Sequence, residues 1–230
     1  EKYSHDASLF EVMPEVVVFP KDSDDIKSLV RFVNDQKASD NHISLTARSA
    51  GTCMSGGSLN ESIILDTTRY LNKIISVDND KGIVEPGCYY RDFEIETLKI
   101  DRIMPSYTAS KDICAIGGMV NNNSGGEKTI KYGKVEKYLQ KQKMVLSDGN
   151  EYEIKPLSKS ELDAKMSQGD FEGNLYKKLF EIVDKNYDIL QSAKPQVSKN
   201  SAGYYLWNVW SRETQIFDLN KLLVGAQGTL

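Results

Sequence analysis

One glycine-rich loop constrains this chain more than any other stretch. The loop, ARSAGTCMSGGS at residues 47–58, lies between two apolar runs, 43–47 and 63–66, which are typical of buried strands. Glycine reaches positive φ at low cost, and consecutive N–H groups in such a loop converge on an anion. The polar side chains that add to these donors are Arg48, Ser49, Thr52, Ser55 and Ser58. The loop is suited to a pyrophosphate, although a plain connection between strands also accounts for it.

Two common phosphate-binding motifs are excluded for this loop. A Walker loop ends in Gly-Lys-Ser/Thr, and no lysine occurs between Arg48 and Ser58. The dinucleotide pattern G-x-G-x-x-G is absent as well.

Composition narrows the class of protein. With 230 residues, 40% hydrophobic and 27% charged, the chain is long enough for one large domain or two lobes with a packed core. A net charge of -4 provides no basic surplus for nucleic acid, so we expect no such partner. No apolar run approaches the roughly 20 residues of a membrane span, and no signal peptide opens the chain. We therefore expect a cytoplasmic protein, or one peripheral to the inner face of the membrane.

Cysteine and histidine are too sparse for a metal centre. Cys53, Cys88 and Cys114 are widely spaced and form no C-x-x-C pair, which indicates a reducing compartment. With His5 and His42 as the two histidines, we predict no metal site and no histidine-based triad. Cys53 is interpreted as a small packing residue, with a reactive thiol as the alternative.

The first part of the chain predicts a small lobe with a parallel-leaning sheet. A strand over 16–19 precedes a helix that is capped by the acidic stretch 22–25 and carries apolar residues at helical spacing over 26–33. The strands 43–47 and 63–66 follow, which gives a strand–helix–strand unit.

Beyond Tyr70 the sequence pattern predicts antiparallel strands. Hairpins are predicted for 74–85 and 144–154, and helices for 91–98 and 175–187. We place a lobe boundary near 70–76, with lobes at 1–75 and 76–230. The fold class is α+β, with a larger and mostly antiparallel second lobe.

Two further glycine clusters follow the loop. In the first, over 113–126, the pair Gly117-Gly118 could press against a flat ligand, and 119–123 could start a helix facing an anion. The alternative is a tight strand-to-helix turn with a glycine cap. In the second, the run 222–224 into Gly-x-x-Gly-Thr predicts a strand entering a close turn.

The order of these clusters resembles the FAD-linked oxidases, which have a PCMH-type FAD-binding domain. The branch resembled most contains D-lactate dehydrogenase, the glycolate oxidase flavoprotein subunit and 2-hydroxyglutarate dehydrogenase. The segments that carry the resemblance are 48–57, 105–108, 116–126 with Tyr132-Gly133, 200–204, and 225–230. The resemblance runs from about Pro14 to the last residue.

This resemblance implies a cofactor, FAD, extended between two lobes. The loop would hold the pyrophosphate, the middle cluster would line the flavin and its phosphates, and the last cluster would close over the adenine or ribitol. The implied cofactor-binding residues are Arg48, Ser49, Ala50, Gly51, Thr52, Cys53, Ser55, Gly56, Gly57, Pro105, Thr108, Gly117, Gly118, Asn121, Ser124, Gly125, Tyr132, Gly133, Gly225, Gln227, Gly228 and Thr229.

Some positions depart from the family pattern. Ala50 replaces a common glycine, Gln227 replaces a common glutamate, and the stretch 206–218 is longer than usual. Relatives with covalent flavin have a histidine where Thr52 and Cys53 stand, so we expect non-covalent FAD.

The resemblance implies a flavin-dependent dehydrogenase or oxidase acting on the CH–OH group of a 2-hydroxy acid such as D-lactate or glycolate. Family members continue into a substrate-binding domain with metal and proton-transfer residues. We expect this chain to be truncated at 230, inactive alone and without identifiable catalytic residues, and the electron acceptor stays open.

Three alternatives remain at this stage. One is a reductase of the same fold. Another is a non-catalytic flavin-binding module that acts with a partner chain, suggested by Trp207 and Trp210 as exposed residues. The last is an α/β protein that binds another nucleotide.

Overall fold

The computed structural model describes residues 1–39, 42–197, 200–201 and 203–229. Its first sheet has three parallel strands in the order β1-β3-β2: β1 (Val16–Val18), β2 (Leu45–Arg48) and β3 (Ile63–Asp66). Helix α1 (Ser23–Lys37) connects β1 to β2, and the Asp22 side chain caps it by accepting from the N–H groups of Asp24 and Asp25. The predicted parallel first lobe is confirmed.

The central strand places the glycine loop. All four residues of β3 are buried because the strand is paired on both sides, and the first three of them are apolar. The loop leaves the carboxyl end of β2 at Arg48, whose register partner is Asp66 at the end of β3. Loops at the carboxyl ends of parallel strands are where α/β sheets bind ligands.

The second lobe is built from antiparallel strands and short helices. The hairpins are β4 (Ile74–Val77) with β5 (Gly82–Val84), and β6 (Gln142–Val145) with β7 (Glu151–Ile154). A further antiparallel sheet has the order β8-β10-β9, from β8 (Leu157–Ser158), β9 (Trp210–Ser211) and β10 (Ile216–Phe217). The helices are α2 (Tyr90–Leu98), α3 (Ile116–Asn121), α4 (Thr129–Tyr132), α5 (Lys159–Met166), α6 (Phe171–Lys185), α7 (Tyr187–Ser192) and α8 (Asn220–Leu223).

Two apolar clusters support this lobe. One lies between α6 and the β8-β10-β9 sheet and includes Tyr176 and Phe217, whose ring centroids are 5.8 Å apart. The other surrounds Tyr90 and Met119 and fixes α3 next to α2. The division at 75/76 stays a prediction, and β4 runs across that boundary.

Three expectations about local structure are wrong. Helix α3 begins at Ile116, so 119–121 form its end and not its start. The run 222–224 is not a strand; α8 covers Asn220–Leu223 because Leu219 and Leu223 recur at helical spacing and are both buried. Trp210 is 4% exposed and donates to Asp184, and Trp207 stacks on Tyr205, so neither is a freely exposed ring.

Among the described residues, no helix combines the length and the apolar character that crossing a bilayer requires. The same residues include no group of three His, Cys, Asp or Glu side chains arranged to share a metal ion. The three cysteines are free.

Candidate functional site

The glycine loop offers a run of backbone donors. Within the described part of the chain, the N–H groups of residues 50–54 and 56–58 donate to no other residue. The N–H of Ser55, between them, donates to Cys53 Sγ at 3.3 Å. Gly51 and Gly56 have φ values of 69° and 79°, which residues with a Cβ rarely adopt. Unpaired N–H groups around positive-φ residues form the concave donor surface that anions prefer.

Arg48 supports the loop from inside the protein. Its side chain is 7% exposed, and its Nη2 donates to the His5 carbonyl at 2.7 Å. A Cβ added to Gly51 would lie 2.4 Å from Nη2, so the guanidinium packs directly against the loop backbone. Its Nη1 is buried and has no hydrogen-bond partner among the described residues.

The Arg48 guanidinium is buried among acidic groups. Burial lowers the pKa of the guanidinium, while the nearby carboxylates of Asp6 and Asp66 and the Tyr3 hydroxyl raise it. Arginine begins from a pKa above 12, so the group stays charged at neutral pH. A positive charge thus lies beneath the loop in a setting where water screens it weakly.

Helix α3 lies beside the loop. A Cβ added to Gly118 would lie 3.6 Å from the Ser49 Cβ. Ser49 Oγ also approaches the Pro86 carbonyl at 3.3 Å, and the N–H of Gly117 donates to that carbonyl at 2.8 Å. The segment at Pro86 therefore joins the loop to α3.

The first two N–H groups of α3 already have backbone acceptors. The N–H of Ile116 donates to the Cys88 carbonyl, and that of Gly117 to Pro86. A Cβ on Gly117 would lie 2.7 Å from the Pro86 oxygen, so glycine is required for this close approach. The expectation that a helix N-terminus here faces an anion stays a prediction, and Gly118 is the residue of α3 that borders the loop.

The last glycine cluster contacts both α3 and the glycine loop. The N–H of Gln227 donates to the Asn121 carbonyl at 3.0 Å, and that of Gly225 to Val120 at 3.2 Å. The Gln227 amide contacts Cys53 Sγ, and a Cβ on Gly228 would lie 3.4 Å from the Gly57 Cα. Three segments that are far apart in the sequence thus meet around one groove.

The remaining predicted residues lie in the segments before and after α3. Thr108 Oγ1 is 3.5 Å from Cys114 Sγ, and Gly126 packs on the Tyr107 carbonyl, which places 105–108 beside the ends of α3. Gly125 packs on the Thr129 hydroxyl. Tyr132 is the last residue of α4 and Gly133 is its C-cap, and no described contact joins them to the glycine loop.

Burial changes the acidity of the two cysteines near α3. Desolvation raises the pKa of the Cys88 thiol to about 11, and it raises the pKa of Cys114 as well. Both are thus uncharged packing residues at neutral pH. Cys53 in the loop is half-buried, and its sulfur lies 3.1 Å from Ser55 Oγ.

Sequence reasoning missed the role of the N-terminal segment. Phe10 packs against Gly56, where an added Cβ would lie 2.9 Å from the ring. Asp6 accepts from Ser58 Oγ at 3.1 Å, and the Tyr3 ring lies 5.5 Å from the Arg48 guanidinium. No motif marks these residues, and their spacing gives no signal that links them to a loop some 45 positions away.

Comparison with known families shows to which family of proteins this chain belongs. Residues 14–155 match the model of the FAD binding domain family. The chain belongs to this family. The predicted resemblance is confirmed, and the glycine loop is part of an FAD-binding domain.

Individual relatives carry related names. D-2-hydroxyglutarate dehydrogenase of Pantoea ananatis is 26% identical over 229 residues, which are 99% of this chain and 22% of that protein. Glycolate oxidase subunit GlcD of Bacillus subtilis is 28% identical over 152 residues, 64% of this chain and 31% of that protein. The chain thus spans about a fifth to a third of the length of these relatives.

The fold of this FAD-binding domain also occurs in a solved structure. Glucooligosaccharide oxidase from Acremonium strictum, whose structure concerns a 6-S-cysteinyl, 8α-N1-histidyl FAD, matches with a TM-score of 0.56 at 20% identity, over 71% of this chain and 33% of that one. The predicted α+β fold of the PCMH type is confirmed.

Proposed function

We propose that the groove between the glycine loop, Gly118 and the turn at 225–229 binds the pyrophosphate of FAD. The observation that carries this proposal is the set of N–H groups at 50–54 and 56–58 that have no acceptor among the described residues, with the buried Arg48 charge beneath them. Backbone donors satisfy phosphate oxygens without side-chain entropy, and a buried cation adds to the attraction. The residues therefore fit the cofactor that the family name implies.

The remaining predicted residues take supporting roles in this proposal. Gly118 and Asn121 border the phosphates from α3, and Gln227 to Thr229 cover the opposite side. Pro105, Thr108, Ser124 and Gly125 line the flavin or its ribitol chain. Tyr132 and Gly133, at the end of α4, stay the least supported of the predicted cofactor residues, because no described contact joins them to the glycine loop.

We further propose that FAD is held non-covalently. Cys53 and Thr52 occupy the loop positions where relatives with covalent flavin carry histidine. Of the two histidines, His5 pairs with Glu11 at 3.3 Å through its Nε2, and its carbonyl binds Arg48. His42 lies at the start of the segment before β2, outside the loop.

The whole protein is proposed to be a dehydrogenase or oxidase of a 2-hydroxy acid, as the names of the relatives suggest. FAD supplies hydride acceptance when bound, and this chain's residues would bind and orient it. The residues that would hold the substrate and take its proton are proposed to lie outside residues 1–230. The electron acceptor is not assigned.

A flavin spectrum tests the cofactor proposal. The purified chain is mixed with FAD, excess flavin is removed, and the visible spectrum is recorded. We expect a retained and protein-shifted flavin spectrum, with all flavin released into the supernatant by acid precipitation. Flavin that stays with the precipitate would contradict non-covalent attachment.

Reduction of the flavin tests the reaction. In the longer protein that carries this domain, anaerobic addition of D-2-hydroxyglutarate, D-lactate or glycolate should bleach the flavin absorbance for at least one of them. If none of these 2-hydroxy acids reduces a bound flavin, the proposed substrate class is wrong while the cofactor proposal stands.

A further inference from the structure

Residues 3–12 form a strap that lies before the region matched by the family model. The strap folds back on itself. The N–H of Val12 donates to the Ser4 carbonyl at 2.9 Å, and His5 forms an isolated antiparallel bridge with Glu11. The residues between these pairs thus form a short turn with a defined backbone.

Two polar contacts join the strap to both ends of the glycine loop. At the first end, the His5 carbonyl accepts from Arg48 Nη2 at 2.7 Å, and the donor is a charged group. At the other end, Asp6 Oδ2 accepts from Ser58 Oγ at 3.1 Å. Hydrogen bonds that involve a charged group are the stronger ones in proteins. The strap therefore bridges the two ends of the loop.

The apolar side of the strap is held less firmly. The Phe10 ring packs on Gly56 in the middle of the loop but stays exposed, and Leu9 beside it is exposed as well. Segments with few buried apolar contacts open locally at a small cost in free energy. The strap therefore opens more readily than β3, whose four residues are all buried.

We propose that the strap is a positioning element, which holds the glycine loop in the shape that the cofactor needs, so that FAD binds tightly when the strap is closed. Asp6 and Phe10 act through the loop as positioning residues and need no contact with the cofactor. The part of this inference that concerns FAD rests on the proposed function. By linkage, bound FAD favours the closed strap by the same factor by which the closed strap favours FAD.

The accessibility of Cys53 measures the hold on the loop without any flavin. Cys53 lies in the loop and is half-buried, whereas Cys88 and Cys114 are buried. Labelling by an aromatic disulfide is followed in the folded chain, with Cys53→Ser as the blank. We expect the double variant Asp6→Ala with Phe10→Ala to label about tenfold faster, because the loop opens more often without these contacts.

A second double variant is the control. Leu9→Ala with Glu15→Ala removes one apolar side chain and one carboxylate, as the strap variant does, but from two exposed positions. It should leave the labelling rate of Cys53 unchanged. Circular dichroism and urea denaturation check that both double variants fold.

Fluorescence titration with FAD and with riboflavin tests the link to the cofactor. The strap variant should bind FAD about tenfold more weakly, because the loop is less often in its binding shape. Riboflavin lacks the pyrophosphate and the adenosine, so its affinity should not change. A general loss of packing would weaken the binding of both flavins equally.

Proteolysis of the wild type gives a measurement that needs no variant. A protease needs a locally unfolded segment, so the rate of chymotrypsin cleavage after Phe10 reports how often the strap opens. Saturating FAD should slow this cleavage about tenfold, since linkage makes the two effects equal. Riboflavin should leave the cleavage rate unchanged.

Several results would overturn the proposal. Two of them are equal labelling of Cys53 in the wild type and the strap variant, and the same acceleration in the control variant. The others are an unchanged FAD affinity in the strap variant, and cleavage after Phe10 that bound FAD does not slow. Faster labelling of the strap variant in a chain that binds no FAD would contradict the proposed function and leave the hold of the strap on the loop standing.

Discussion

Single residues decide how the glycine loop is built. Gly51 combines a φ of 69° with direct packing on the Arg48 guanidinium, so its backbone angle and its missing side chain are both required. The sequence predicted a loop suited to a pyrophosphate, with Arg48 among its polar side chains. It could not predict that Arg48 turns inward to the His5 carbonyl, because that contact depends on an N-terminal segment without any motif.

Substitution of Gly51 distinguishes the cost of backbone strain from an effect on FAD binding. Gly51→Ala and Gly169→Ala both place a Cβ at positive φ, but Gly169 has nothing within 4 Å of that atom. Each should lower the free energy of unfolding by about 1–2 kcal/mol from the backbone conformation. Gly51→Ala should also displace Arg48 and weaken FAD binding at least about tenfold, the effect of losing one charge-assisted contact.

Flavin fluorescence titration and urea denaturation of both variants check this expectation. An unchanged FAD affinity in Gly51→Ala, at a stability equal to that of Gly169→Ala, would show that the Arg48–Gly51 contact does not shape the cofactor site.

Elements of strong periodicity were predictable from the sequence. The capped helix α1, the parallel strands β2 and β3 and both long hairpins lie within a few residues of their predicted positions. Helix α3 was misplaced because two glycines at its start imply a turn, whereas here they allow the helix to approach Pro86 and Ser49. Helix α8 was predicted as a strand because a run of three adjacent apolar residues shows neither helical nor strand periodicity.

Helix α5 offers a test of local stabilisation. Ser158 accepts from the Glu161 N–H, and the Glu161 carboxylate accepts from the Ser158 N–H at 2.8 Å, which together form a capping box. Ser158→Ala should lower the free energy of unfolding by about 1 kcal/mol.

Glu161→Gln is the matched control for this helix, because glutamine also completes a capping box, and it should change stability by less than about half as much. Chemical denaturation of both variants measures the difference. Equal losses would mean that the charge of Glu161, and not the box, stabilises α5.

At the scale of the whole molecule, distant segments assemble one groove. The order of the three glycine clusters was visible in the sequence, and their meeting was expected from the family resemblance. The contacts that join them, such as Gln227 with Asn121 and Cys53, depend on the packing of α3 and α8 and had no local signal. Ala202 and Leu230, which also carried the resemblance, lie outside the described residues.

The second lobe also contains a buried acid that couples its stability to pH. Burial raises the pKa of Asp218, although Lys221 and hydrogen bonds from Asn220 oppose this shift. A carboxyl with a raised folded-state pKa contributes stability that is present below its unfolded pKa and lost as the pH rises through its folded pKa.

Replacement of this acid should remove that pH dependence. The free energy of unfolding of Asp218→Asn, minus that of the wild type, should increase from about pH 3.5 to pH 7, where the ordinary carboxyl pKa is passed. Urea denaturation across this range measures it. If this difference in the free energy of unfolding is constant with pH, or decreases, ionisation of Asp218 does not destabilise the folded protein.

The cofactor proposal is that this groove recognises the pyrophosphate of FAD, and a comparison of FAD with riboflavin tests it most directly. Riboflavin has the same ring system but lacks the pyrophosphate and the adenosine, so fluorescence titration of the folded chain with both measures what this half of FAD contributes. We expect FAD to bind about 100-fold more tightly or better, which corresponds to about 2.7 kcal/mol. Equal affinities, or no FAD binding by a folded chain, would contradict it.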